Sequence, residues 1–131
     1  AKRLTEIPGS SEVFDCGIVS YSNDIKMNLL GVSEATLKQY GAVSSQTACE
    51  MAEGVRRTGG ADLGISITGV AGPGSDSENK PAGLVYIAIS DGKKTVWEKL
   101  ETGRENDREY NRYVSASRAL NLVRKYLEKI I

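Results

Sequence analysis

Apolar positions change their spacing several times along this chain, and each change predicts an element. Val13 to Tyr21 alternates, with Phe14, Cys16, Ile18 and Ser20 on one face, which is the two-residue period of a strand. Ser22 or Asn23 caps a short helix through Leu30, ended by Gly31. Ser33 caps a second helix, Glu34 to Tyr40, ended by Gly41, and Ser44 or Ser45 opens a third that runs to about Thr58. In that third helix Ala48, Met51, Ala52 and Val55 recur at helical spacing, and Gly59-Gly60 closes it. Leu63 to Ile67 is a short apolar strand that runs into the glycine-rich turn Thr68-Gly69-Val70-Ala71-Gly72-Pro73-Gly74.

Residues Gly74 to Pro81 are polar and aperiodic, a mobile loop on this reading. Gly83 to Ser90 is almost wholly apolar, as in a strand covered on both faces. Asp91-Gly92 is a hairpin signal that pairs it with a strand from about Lys94 to Glu101. From about Asp107 a long helix follows, with Tyr113, Ala116, Leu120, Val123, Leu127 and Ile130 as one buried stripe. Mixed in this order, the elements imply one layered α/β domain spanning residues 1–131. At the other end, Ala1 to Ile7 reads as the end of a helix stopped by Pro8-Gly9, so a segment is expected to precede Ala1.

Composition narrows the chemistry. The chain has 131 residues, 40% of them apolar, and 17 Lys+Arg balance 17 Asp+Glu. No global field therefore favours nucleic acid or an anionic membrane, and no apolar run is long enough to span a bilayer. Histidine is absent, which excludes a Ser-His-Asp triad, a Cys-His dyad and His-ligated zinc within these residues. Proton transfer falls to Lys, Tyr, Asp or Glu. Cys16 and Cys49 are far apart and read as reduced thiols of a cytoplasmic protein.

Three places carry candidate chemistry, and each has a plainer reading. Lys26 lies about one turn into the helix after Tyr21-Ser22-Asn23; it is either a solvated surface lysine or, with its pKa lowered by burial and neighbouring positive charge, a base. Arg108 and Arg112 share a helix face, where they either pair with Glu105, Asp107 and Glu109 or face a phosphate. The glycine turn either makes a tight connection or presents N–H groups to an anion. It lacks the Gly-Lys-Ser/Thr of a phosphate-binding P-loop and runs into no helix, so it is not a dinucleotide fingerprint.

As an ordered set, these residues resemble the C-terminal domain of the competence/damage-inducible CinA proteins, a domain that also occurs alone as nicotinamide-nucleotide amidase. The likeness rests on Pro8-Gly9-Ser10-Ser11, Gly17, Tyr21-Ser22-Asn23, Lys26, Gly31-Val32 and Gly41-Ala42-Val43-Ser44. It continues through Thr68 to Pro73, Lys80-Pro81-Ala82-Gly83-Leu84-Val85-Tyr86, Arg108 and Arg112. The resemblance implies a three-layer α/β/α sandwich with a mixed, mostly parallel sheet containing one antiparallel hairpin. It implies hydrolysis of nicotinamide mononucleotide to nicotinic acid mononucleotide and ammonia, with no metal or cofactor. The family's nucleophile is a serine in an Ala-Glu-Ser-Cys-Thr-Gly-Gly motif, which falls upstream of Ala1, so the domain is expected to lack its first strand and that motif here.

On that resemblance Lys26 is the base, Tyr21 orients it, and Thr68 with the N–H groups from Gly69 to Gly72 holds the oxyanion or the phosphate. Ser22, Asn23, Gly69, Ala71, Gly72, Arg108 and Arg112 are then the substrate contacts. The expected partners are a small nucleotide substrate and further copies of the chain, in a homodimer or higher homo-oligomer, with no nucleic acid or membrane. A catalytically silent nucleotide-binding or assembly module is the alternative, since these residues contain no activated nucleophile. Action on another small amide is a third possibility.

Overall fold

The computed structural model describes residues 1–131. Its elements are α1 (Lys2–Thr5), a 3-10 turn (Ser10–Glu12), α2 (Asn23–Leu30), α3 (Glu34–Tyr40), α4 (Ser45–Gly59), β1 (Gly64–Gly69), β2 (Leu84–Ser90), β3 (Thr95–Glu101) and α5 (Arg108–Leu127). Serine oxygens cap three helices: Ser22 accepts from Ile25 N, Ser33 from Thr36 N and Ser44 from Thr47 N. Each such cap contributes about 1 kcal/mol. Gly31 and Gly60 end α2 and α4 in the left-handed conformation, at φ 69° and 61°.

The strands form a single sheet in the order β1-β2-β3, and both pairings are antiparallel. This corrects the expectation of a mostly parallel sheet, since no parallel pair is present. Alternation along β2 sends its side chains to two different helices. Val85, Ile87 and Ile89 pack with Ala119 and Leu122 of α5. Ala88 points the other way, onto Ala48 and Ala52 of α4. Full burial of a side chain such as Ile87 is worth about 1.5–3 kcal/mol relative to exposure, so this two-sided strand anchors the core.

Two further expectations are corrected. Residues 13–21 have the alternation of a strand but pair with nothing, and residues 15–21 take part in no main-chain to main-chain hydrogen bond. Phe14, Cys16, Ile18 and Ser20 are half-buried, whereas Val13, Val19 and Tyr21 are 83%, 87% and 86% exposed. Period two is a property of the chain, but a strand also needs a neighbouring ladder. In α5 the buried stripe is Asn111, Ser115, Ala119 and Leu122, while Tyr113, Leu127 and Ile130 are exposed. Asn111, Ser115 and Ala119 let that face approach the sheet, Leu122 enters the core with the expected Val123 packed against it, and Tyr113 and Leu127 turn outward.

The segment 74–81 is anchored rather than loose. Asp76 Oδ1 accepts the N–H groups of Glu78 and Lys80, and Lys80 Nζ donates to the carbonyls of Tyr40 and Val43 at 2.7 and 2.5 Å. No helix is long and apolar enough to cross a membrane.

Candidate functional site

A cleft of about 820 Å³ opens between the extended segment 14–21 and the outer edge of β1. Its polar end gathers Tyr21, Asn23, Lys26, Thr68, Gly69, Ala71, Arg108 and Arg112, residues from three separate parts of the chain. Ser22 and Gly72 do not line it. Ser22 turns its oxygen to the α2 N-terminus, and Gly72 is buried beneath the turn.

Lys26 is the distinctive group. Its place one turn into α2, after the Ser22 cap, aims the side chain inward, and only 7% of the residue is exposed. Nζ donates to the carbonyl of Ser20 at 2.7 Å. Burial holds its pKa below the ordinary lysine value of 10.5, and no neighbouring cation contributes. The charge effect anticipated from the sequence is therefore absent. An ammonium with one carbonyl partner in a desolvated wall is closer to losing its proton than a surface lysine.

The glycine turn is built by contacts on its far side. Val70 N donates to Leu84 O, and Gly83 N donates to Val70 O. A Cβ on Gly72 would lie 2.6 Å from the carbonyl oxygen of Glu105, so this glycine, at φ 88°, admits the loop before α5 rather than a ligand. Thr68 also differs from expectation. Its Oγ1 donates to Ala42 O at 2.6 Å, so its proton holds β1 to the α3–α4 connection. Gly69 points its N–H toward the cleft, because the even-numbered residues of β1 make the ladder to β2. Ala71 N has no main-chain or side-chain acceptor, which leaves two N–H donors on this wall.

The arginines divide. Arg108 Nη1 donates to Gly72 O at 2.8 Å, and its Nη2 lies 3.5 Å from the Tyr21 hydroxyl. Arg108 thus braces the turn and faces Tyr21, with no carboxylate partner. Arg112, one turn on, is exposed at the cleft and makes no hydrogen bond or ion pair.

Asn111 was not singled out by the sequence. Only 1% exposed, it donates to Ala71 O at 2.9 Å and to Arg104 O at 2.8 Å, and accepts from Thr102 Oγ1 at 2.6 Å. It is the pin between the glycine turn and the start of α5. The available signal was a polar amide in the same helical register as Ser115, Ala119 and Leu122. Cys49 is a poor nucleophile, since burial, with help from Glu50, raises its thiol pKa.

A family profile described as the CinA C-terminal domain matches residues 1–127. The chain belongs to the CinA C-terminal domain family. A CinA-like protein of Desulfovibrio desulfuricans is 50% identical over 129 residues, 97% of this chain and 30% of that protein. The CinA domain described here therefore spans about a third of the curated relatives it matches. Among solved structures, the competence/damage inducible protein CihA of Agrobacterium tumefaciens is 39% identical with a TM-score of 0.87, over 93% of this chain and 74% of that one. A competence-damaged protein (CinA) superfamily protein of Escherichia coli is 28% identical with a TM-score of 0.88, over 95% of this chain and 72% of that one.

Proposed function

We propose that the protein containing this CinA domain is a nicotinamide mononucleotide amidohydrolase of the serine–lysine type, with its serine N-terminal to Ala1. The observation that carries the reading is Lys26, a buried amine with a lowered pKa at the polar end of the cleft. Neutral Lys26 takes the serine proton as the oxygen attacks the carboxamide carbon. The N–H groups of Gly69 and Ala71 face the oxyanion that forms. Lys26 then returns the proton to the departing nitrogen, which leaves as ammonia, and an acyl-serine ester remains. Water, deprotonated by Lys26, cleaves that ester, releasing nicotinic acid mononucleotide and regenerating the serine. Arg112 meets the phosphate, and Tyr21 with Arg108 closes the side of the cleft toward Lys26. Asn23 lies within reach of the nucleotide, and Thr68 contributes by fixing the turn.

The second reading, a nucleotide-binding or assembly module, draws support from the hydroxyls of the cleft. Ser66 donates to Ala48 O, Thr68 to Ala42 O and Ser115 to Asn111 O, so these three hydroxyls are tied to main-chain carbonyls. Ammonia release from nicotinamide mononucleotide by the intact protein separates the two. The amidase reading expects turnover that Lys26→Ala lowers by about 10²–10⁴-fold, the usual contribution of a general base. Binding of the nucleotide without any ammonia release would favour the module.

A further inference from the structure

The strap of residues 74–81 has no part in the chemistry proposed above, yet it walls the cleft. Asp76, Ser77 and Glu78 line the cleft beside Ala42 and Val43 of the α3–α4 turn. The strap contains no helix or strand, so its bonds to the surroundings fix its shape. Lys80 supplies the main fastening. Its side chain is 25% exposed, and Nζ donates to Tyr40 O at 2.7 Å and to Val43 O at 2.5 Å, with Glu78 Oε2 at 3.4 Å. The two carbonyls in between are also taken. Gly41 O accepts from Ser44 Oγ and Thr47 Oγ1, and Ala42 O accepts from Thr68 Oγ1. The strap is therefore locked to the α3–α4 turn at the same place as the end of β1.

The charges along the cleft divide by kind. Lys26, Arg108 and Arg112 are its cationic side chains, and Asp76 and Glu78 are its only carboxylates. Glu78 is turned to Lys80 and packed on the wall, where a Cβ on Gly41 would overlap its carboxyl group. Asp76 forms no ion pair. Its Oδ1 accepts from Glu78 N at 3.0 Å and from Lys80 N at 2.8 Å, which leaves Oδ2 without a partner in the protein. A half-buried carboxylate fixed by one oxygen and open at the other repels a phosphate and suits hydroxyl donors. In a pyridine mononucleotide those donors are the ribose diol, which lies between the ring and the phosphate. The ring carboxamide belongs with Lys26, Gly69 and Ala71 and the phosphate with Arg112, so the diol is the part still without a contact.

We propose that the strap is the ribose-recognising wall of the cleft: Asp76 Oδ2 accepts from the two ribose hydroxyls, and Lys80 is the positioning residue that holds Asp76 there. The proposal rests on the nucleotide reading and extends it from the two ends of the substrate to its middle. Lys80 acts on Asp76 through the main chain. Lys80 N donates to Asp76 Oδ1, and Asp76 N donates to Lys80 O at 3.1 Å. The residue whose ammonium latches the strap thus also orients the carboxylate. A recognition group fixed before the ligand arrives loses little freedom on binding, which is what such a latch contributes.

The test is calorimetric titration of the intact protein with nicotinamide mononucleotide, its 2′,3′-dideoxy analogue and the nucleoside that lacks the phosphate. Wild type should bind the dideoxy analogue about 10–100-fold more weakly than the natural nucleotide, the usual worth of a hydroxyl–carboxylate bond. Asp76→Asn keeps an Oδ1 for both N–H groups, and Lys80→Met keeps the stem without the ammonium. Each should cut that discrimination to about threefold or less while preferring the phosphorylated form as strongly as wild type. If Asp76→Asn weakens the natural and dideoxy nucleotides equally, the carboxylate senses the positive ring and the ribose assignment falls. If Lys80→Met loses the phosphate preference together with the diol preference, Lys80 only supports the fold and its positioning role is overturned. A wild-type protein that binds both ribose forms equally, or binds no nucleotide, overturns the whole proposal. Diol discrimination without ammonia release upholds it and removes the amidase reading alone.

Discussion

Asn111→Ala tests the claim that the glycine turn is held from behind by α5. The wild-type amide donates two hydrogen bonds and accepts one, all three at 2.9 Å or less. A satisfied bond contributes about 0.5–1.5 kcal/mol, and a partner left buried and unpaired costs about 1–3 kcal/mol. Arg104 is exposed, so its carbonyl regains water, and the Thr102 hydroxyl can rotate, but Ala71 O lies half-buried behind the turn. The sum is a loss of about 3–4 kcal/mol, large against a total stability of about 5–15 kcal/mol. Urea denaturation followed by far-ultraviolet circular dichroism reads this directly. With slopes of about 1–3 kcal/mol per molar, the midpoint falls by about 1–4 M. Asn111→Asp keeps the accepted bond and loses both donated ones, so it falls nearly as far. A shift below about 0.3 M for both variants would refute the pinning role.

Three other outcomes follow from separate parts of the structure. A Cβ at Gly54 would overlap the main-chain carbonyl of Leu30, where α4 crosses α2, so Gly54→Ala should cost at least about 1–3 kcal/mol in the same assay. The Asp91 carboxyl is held down to about 2, from 3.8, first by the N–H of Lys94, then by the Tyr126 hydroxyl and the N–H of Lys93. Because its folded pKa is the lower one, its stabilisation is present above about 3.8 and is lost as pH falls toward about 2. Asp91→Asn should therefore flatten the acid limb of a stability-against-pH curve. Arg112→Ala, which breaks no internal bond, should weaken binding of nicotinamide mononucleotide about tenfold or more while leaving the unfolding midpoint unchanged. An equal loss for the dephosphorylated nucleoside would show that Arg112 does not meet phosphate.

The parts legible in the sequence were those decided within a few residues. Ser22, Ser33 and Ser44 cap the helices they precede, Gly31 and Gly60 end them, and Asp91-Gly92 turns β2 into β3. The alternation from Phe14 to Ser20 was also legible, but whether it pairs depends on backbone that is distant in the chain. The same limit hid Asn111, whose burial is fixed by Ala71, 40 residues away. Apolar spacing alone selected Tyr113 and Leu127, which lie on the outer face of α5. At the site, spacing left Lys26 open between a surface lysine and a base, the family resemblance brought it forward, and neither could give its burial. Nor could either reveal that Thr68 directs its proton to Ala42, because hydroxyl direction is set by tertiary packing.

The central claim, that Lys26 is the base of an amide-cleaving site, is tested most directly by the pH dependence of kcat/KM for nicotinamide mononucleotide with the intact protein. The account predicts a rising limb governed by a single group whose pKa lies below 10.5, as burial dictates for Lys26. Lys26→Arg should remove that limb and lower the rate by about 10²–10⁴-fold with the fold retained. A Lys26→Arg or Lys26→Ala protein that keeps full activity and the same pH profile would contradict it.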